Sequence, residues 1–163
     1  MKKLLYLFVF ILANSLFGQD YKISVSTYLD ANKSELGIET QDYEDLVIDR
    51  HSYSKSMDVE NVYAIQRHQG IEVFNSVSSF AIRNGQVLNA GFSFKKNISE
   101  KVNATAPSIS AVTAINNAAQ SLGLIAPSNI ELIDNISDNK FICSDGGISL
   151  ENIPVKLVYQ TLE

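Results

Sequence analysis

The chain has 163 residues and 18.0 kDa, with 45% hydrophobic and 19% charged residues; it is long enough to bury one core and part of a second, which excludes a disordered tail. Its formal charge of −5 becomes −7 when Lys2 and Lys3 leave with the leader described next, 11 Lys and Arg then facing 18 Asp and Glu. Such a chain repels phosphate backbones, and with no basic run longer than Lys95-Lys96 a nucleic-acid partner is not expected. A single cysteine, Cys143, excludes a disulfide scaffold, and two histidines leave little from which to build a metal site.

The first residues have the three-part layout of a secretory signal. Lys2 and Lys3 precede the apolar run Leu4–Ala13, and Asn14–Gly18 supplies the short polar-to-small segment. The run is too short for a stable membrane helix across roughly 30 Å of hydrocarbon, so a signal peptide over 1–18 is favoured over an uncleaved anchor. Cleavage after Gly18 leaves Gln19 first, and cleavage after Ser15 is the alternative. The expectation is a secreted protein with no stable membrane insertion after leader removal.

In the mature chain, Tyr21, Val25, Tyr28, Leu29 and Leu36 recur near helical spacing before Gly37, which predicts a short amphipathic helix over 21–36. The run from Leu46 to Tyr53 fits a strand, and so does 61–68, with Tyr63 and Ile65 on one face and Gln69-Gly70 as a tight reversal. Two extended runs, 71–82 and 86–95, flank Asn84-Gly85, the pair best able to take the positive φ values of a type I′ hairpin. With Arg83 opposite Gln86, a regular register pairs Ala81 with Leu88, Ser79 with Ala90 and Val77 with Phe92. That face, extended by Ile71 and Val73, is predicted to be the apolar one. The other pairs Ile82 with Val87, Phe80 with Asn89 and Ser78 with Gly91, and reads as mostly polar.

Residues 96–107 have no clear period, end at Pro107 and read as a linker. Ser110 then caps a helix whose apolar positions run through Ile115, Ala118, Ala119 and Leu122 to a closing Gly123. Strand-like runs follow at 130–136, 141–143 and 155–159. The domains are therefore expected at 19–95 and 108–163, the second of them incomplete.

Little in this chain suggests catalysis. No pair of histidines stands one helical turn apart beside a glutamate, as a zinc endopeptidase needs. His68 and Glu72 flank a turn glycine in a strand region, where their spacing does not converge on one metal. No Gly-x-Ser-x-Gly turn supports a serine nucleophile with His51 or His68 and Asp49 or Asp58. Cys143, beside Ile142, suits a packed small hydrophobe, with pairing between molecules the alternative. What remains is recognition: Phe74, Phe80, Ile82 and Val87 on the otherwise polar hairpin face either anchor a partner or are covered by the helix 111–122 or the next domain.

The segment from Asn61 to Asn75, with Tyr63, Gln66 and then Gly70-Ile71-Glu72-Val73-Phe74-Asn75, resembles the propeptide (FTP) domain of fungalysin and thermolysin-type metalloproteases. Ile82 to Val87, containing Asn84-Gly85, and Gly91 to Phe94 are similar to that domain's second strand pair; Leu46 to Asp49, with Ser54-Lys55-Ser56, resembles its lead-in. Pro107 to Leu122 is similar to the opening of the following pro-region segment in the fungalysin-like branch. The resemblance covers about half the chain. It implies an α+β fold, with a cystatin-like helix on an antiparallel sheet followed by a partial PepSY-like unit. It also implies a secreted zymogen's pro-region, non-catalytic and without a cofactor, that assists folding of a metalloprotease catalytic domain and inhibits it. That partner would act in cis or in trans, and zinc would belong to it alone. Such pro-regions usually continue past a point like Thr161-Leu162-Glu163, so a fragment of a longer precursor and a free-standing inhibitor-like module are both open.

Overall fold

A computed structural model describes residues 20–160; the leader read over 1–18 lies outside the described residues. The chain divides into two compact units, the first running to Val102 and the second spanning Asn103–Gln160. The architecture is mixed α+β, with antiparallel sheets and few helices.

Helix α1 covers 20–36. Its apolar stripe faces the sheet: Val25 and Leu29 are fully buried, and Tyr21, Tyr28 and Leu36 pack beside them. Gly37 at φ 65° ends the helix, and the Ile38 N–H returns to the Lys33 carbonyl at 3.0 Å, the closure that a left-handed residue allows. After a single 3-10 turn at Thr40–Asp42, β1 (Val47–Ser54), β2 (Val59–His68), β3 (Ile71–Arg83) and β4 (Gln86–Gly91) pair antiparallel in chain order. Helix α1 covers one face, where Tyr28 meets Phe80 edge-on at 6.1 Å between ring centroids, and the helix stripe and sheet face bury each other. Leu46, Val62, Ala64, Ile82 and Phe94 complete that core.

The hairpin turn forms as expected, with Asn84 at φ 50°, Gly85 at φ 76° and Arg83 opposite Gln86. The faces differ from the regular register. Opposite Gln66 of β2, strand β3 carries the irregular stretch Val73–Ser76, with Asn75 left-handed at φ 55°. Inward positions therefore change from Ile71 and Val73 to Ser76, Ser78, Phe80 and Ile82, because one odd insertion exchanges the two faces of a period-two strand. A second shift, between Ala81 and Ile82, pairs Phe80 with Ala90 rather than Asn89, and Ser79 with Gly91. It turns Leu88 outward while Ala90, Phe92 and Phe94 face the core.

The segment 96–107 is also not wholly a linker. Ile98–Lys101 forms the helical turn α2, and Ile98 is buried.

In the second unit, α3 (Ala111–Ser121) begins where Ser110 Oγ accepts the Thr113 N–H at 3.1 Å and ends before Gly123 at φ 67°. Strands β5 (Leu132–Ser137), β6 (Lys140–Cys143) and β7 (Ile153–Lys156) form a sheet in the order β5-β6-β7. The run expected at 155–159 is interrupted at Leu157, whose N–H bonds the Asn139 carbonyl at 2.9 Å, before the short β8 (Val158–Tyr159). Helix α3 packs on β6, and the buried hydrophobics of this unit are Ile115, Ala119 and the free thiol Cys143.

Candidate interaction surfaces of the first unit

Two buried polar side chains hold the sheet to the loops at its edge. Gln66 is fully buried on β2; its amide donates to the carbonyls of Asp42 at 2.9 Å and Lys95 at 2.7 Å, and its oxygen accepts the Lys95 N–H at 2.7 Å. Asp42, also fully buried, accepts backbone N–H bonds from Glu39 at 3.0 Å, Asn97 at 3.0 Å and Ile98 at 2.8 Å. Together they fasten the 3-10 turn, the end of the sheet and α2, satisfying donors and acceptors that burial would otherwise penalise.

A second carboxyl fixes the β2–β3 turn. Asp45 accepts the Gly70 N–H at 2.7 Å and a bond from Arg67 at 3.2 Å. Gln69 at φ 49° and Gly70 at φ 81° make this reversal left-handed at two successive residues, the geometry that glycine makes easy.

The sheet face turned away from α1 is half-exposed. Ile65 lies between Val47 and Val77, and Tyr63 between Arg50 and Ser79. The Arg50 guanidinium sits 4.5 Å from the Tyr63 ring centre, a cation–π contact worth about 0.5–1 kcal/mol at such a site. Val77 is 42% exposed, Phe74 48% and Leu88 54%. Of the four side chains read as partner contacts, only Phe74 is exposed. Phe80 and Ile82 belong to the core under α1, and Val87 packs against that core. Helix α1 covers these side chains, because the irregular stretch at Asn75 turns that face inward.

A shallow depression of about 800 Å³ is lined by Gln41, Glu44, Asp45, His68, Gln69, Ser99 and Val102. Its His68 lies six residues along β2 from Val62, the partner of His51, a separation of about 20 Å at strand rise. The His51 ring lies 4.9 Å from that of Tyr21, tilted by 48°, and meets Glu60 at 3.3 Å. Asp49 pairs with Arg50 at 2.8 Å, and Asp58 accepts the Tyr53 hydroxyl at 2.7 Å. These histidines and acids are thus dispersed. Among the described residues, no three His, Cys, Asp or Glu side chains are grouped to hold a metal ion.

Tyr43 is 2% exposed and its hydroxyl bonds Asp30. Burial, and then that bond, raise its phenol pKa above the ordinary value of 10.0. The folded chain therefore holds this proton more tightly than the unfolded chain. The resulting stability is complete below about pH 10 and is lost as pH rises through the folded pKa. Urea midpoints measured across this alkaline range should fall less steeply for Tyr43→Phe than for the parent; equal slopes would exclude Tyr43 as a contributor.

Comparison with family models, curated proteins and solved structures finds no match to this chain. The position of Gln66 could have been anticipated from an amide on the apolar face of a strand. Nothing in the local sequence marks Asp42, whose partners at Asn97 and Ile98 lie more than fifty residues downstream.

Proposed function

We propose that this chain is the pro-region of a secreted zinc metalloendopeptidase, a folding template and inhibitor that acts by binding and performs no chemistry itself. The observation that carries the reading is that the residues of the FTP resemblance do scaffold work in a helix-on-sheet unit. Gln66 fastens β2 to two loops, Gly70 and Asn84-Gly85 make the two reversals, and Asn75 exchanges the faces of β3. An α-helix laid on one face of a four-stranded antiparallel path fits a cystatin-like arrangement, and α3 with β5–β7 fits a partial PepSY-like unit.

In this reading the outward sheet face, with Tyr63, Ile65, Phe74 and Val77, meets the protease. A partner that binds only the native protease favours its folded state by mass action, and a face of this kind acts as an inhibitor when it covers the cleft. Zinc belongs to that partner. Sequencing the reading frame past codon 163 tests the assignment: a continuation reaching a His-Glu-x-x-His segment supports a pro-region in cis. An immediate stop, with no such protease secreted by the same cell, overturns it in favour of a free-standing binding module.

A further inference from the structure

We infer that β5 is the docking edge for an extended, basic and apolar peptide strand, which it would bind by β-augmentation. This proposal concerns the second unit and stands independently of the partner assigned to the first.

All six residues of β5 are exposed. In an ordinary half-buried strand one of two successive side chains points into a core; here Leu132 is 53% exposed, its neighbour Ile133 54%, and Ile136 59%. With all six residues exposed, no core closes over either face of the strand, and Leu132, Ile133 and Ile136 leave apolar surface on it. Strand β5 is terminal in the order β5-β6-β7, so one of its edges carries backbone groups available to another strand. Its ladder to β6 is irregular at two places, between Leu132 and Asp134 and between Asn135 and Ser137. These bulges confine regular pairing on the open edge to short stretches, over which an added strand's backbone supplies affinity and its side chains supply specificity.

Charge selects the occupant. Glu131 just before β5, Asp134 within it and Asp138 in the turn after it are exposed, and no lysine or arginine occurs between Leu124 and Asn139. A second copy would bring the same three acids against these, whereas a strand alternating lysine or arginine with aliphatic residues neutralises them and covers Ile133 and Ile136.

The test titrates the full chain into a short fluorescein-labelled peptide alternating lysine with isoleucine, and into its glutamate counterpart, with anisotropy as the readout. The lysine peptide should bind and the glutamate peptide should not. Affinity should drop about tenfold or more in the double variant Glu131→Lys, Asp134→Lys, since reversal of nearby charges changes attraction into repulsion. Ile133→Lys should weaken binding as well. Both sites are on the surface, and far-UV circular dichroism matching the parent's establishes that each variant is folded. Absence of lysine-peptide binding, equal binding of the two peptides, or affinity unchanged in the variants would overturn the proposal. So would sedimentation showing a dimer that Ile133→Lys dissociates, because the edge would then belong to a second copy.

Discussion

Asp42→Ala should destabilise the first unit by about 2–4 kcal/mol, the loss expected when one buried and two part-buried backbone donors are left without an acceptor. Glu39, Asn97 and Ile98 are those donors. Gln66→Ala acts on the same junction from the sheet side, stripping partners from the Lys95 amide and from the carbonyls of Asp42 and Lys95. Because Gln66 bonds the backbone of Asp42, the two effects should not add, and the double variant should lose less than the sum of the singles. Urea midpoints give the energies. Amide exchange at Asn97 and Ile98 locates them: it should accelerate in Asp42→Ala beyond what global destabilisation explains. A loss below about 1 kcal/mol would mean that water replaces the carboxyl, contrary to its complete burial.

Phe80→Ala and Phe74→Ala should part company. Phe80 is 1% exposed against Tyr28 of α1, and emptying such a site costs about 3–5 kcal/mol. Phe74, at 48% exposure in the irregular stretch of β3, should change stability by about 0.5 kcal/mol or less. If the outward face carries recognition, Phe74→Ala instead weakens binding of the partner while the urea midpoint stays put. Equal stability losses at the two positions would contradict the assignment of the faces.

The two phenylalanines also mark what could be read from the sequence. Elements set by near neighbours were legible. The stripe Tyr21, Val25, Tyr28, Leu29 gave α1, Ser110 and Gly123 bracketed α3, and Asn84-Gly85 gave the tight turn. The inward face of the hairpin was not, since it depends on the irregularity opposite Gln66 and on the shift at Ala81/Ile82. Both are properties of paired strands, and each exchanges the faces beyond it. Asn75 offered a local hint, because asparagine tolerates φ > 0 better than most residues. Ser76 and Ser78 pointed the other way, being polar yet fully buried: Ser76 Oγ donates to the Val73 carbonyl at 2.6 Å, and Ser78 Oγ accepts the Ser93 N–H at 2.8 Å. The open strand β5 was equally hidden, since its Leu132, Ile133 and Ile136 read as ordinary strand residues until their exposure is known.

The proposed pro-region role is tested most directly by titrating the chain into any mature zinc endopeptidase found among the proteins secreted by the same cell and following residual activity on a quenched fluorescent peptide. A pro-region should give saturable inhibition at micromolar chain, weakened by Phe74→Ala, together with faster recovery of activity when the unfolded protease is diluted into buffer containing the chain. Full activity throughout the titration, with recovery no faster than in the chain's absence, would contradict it.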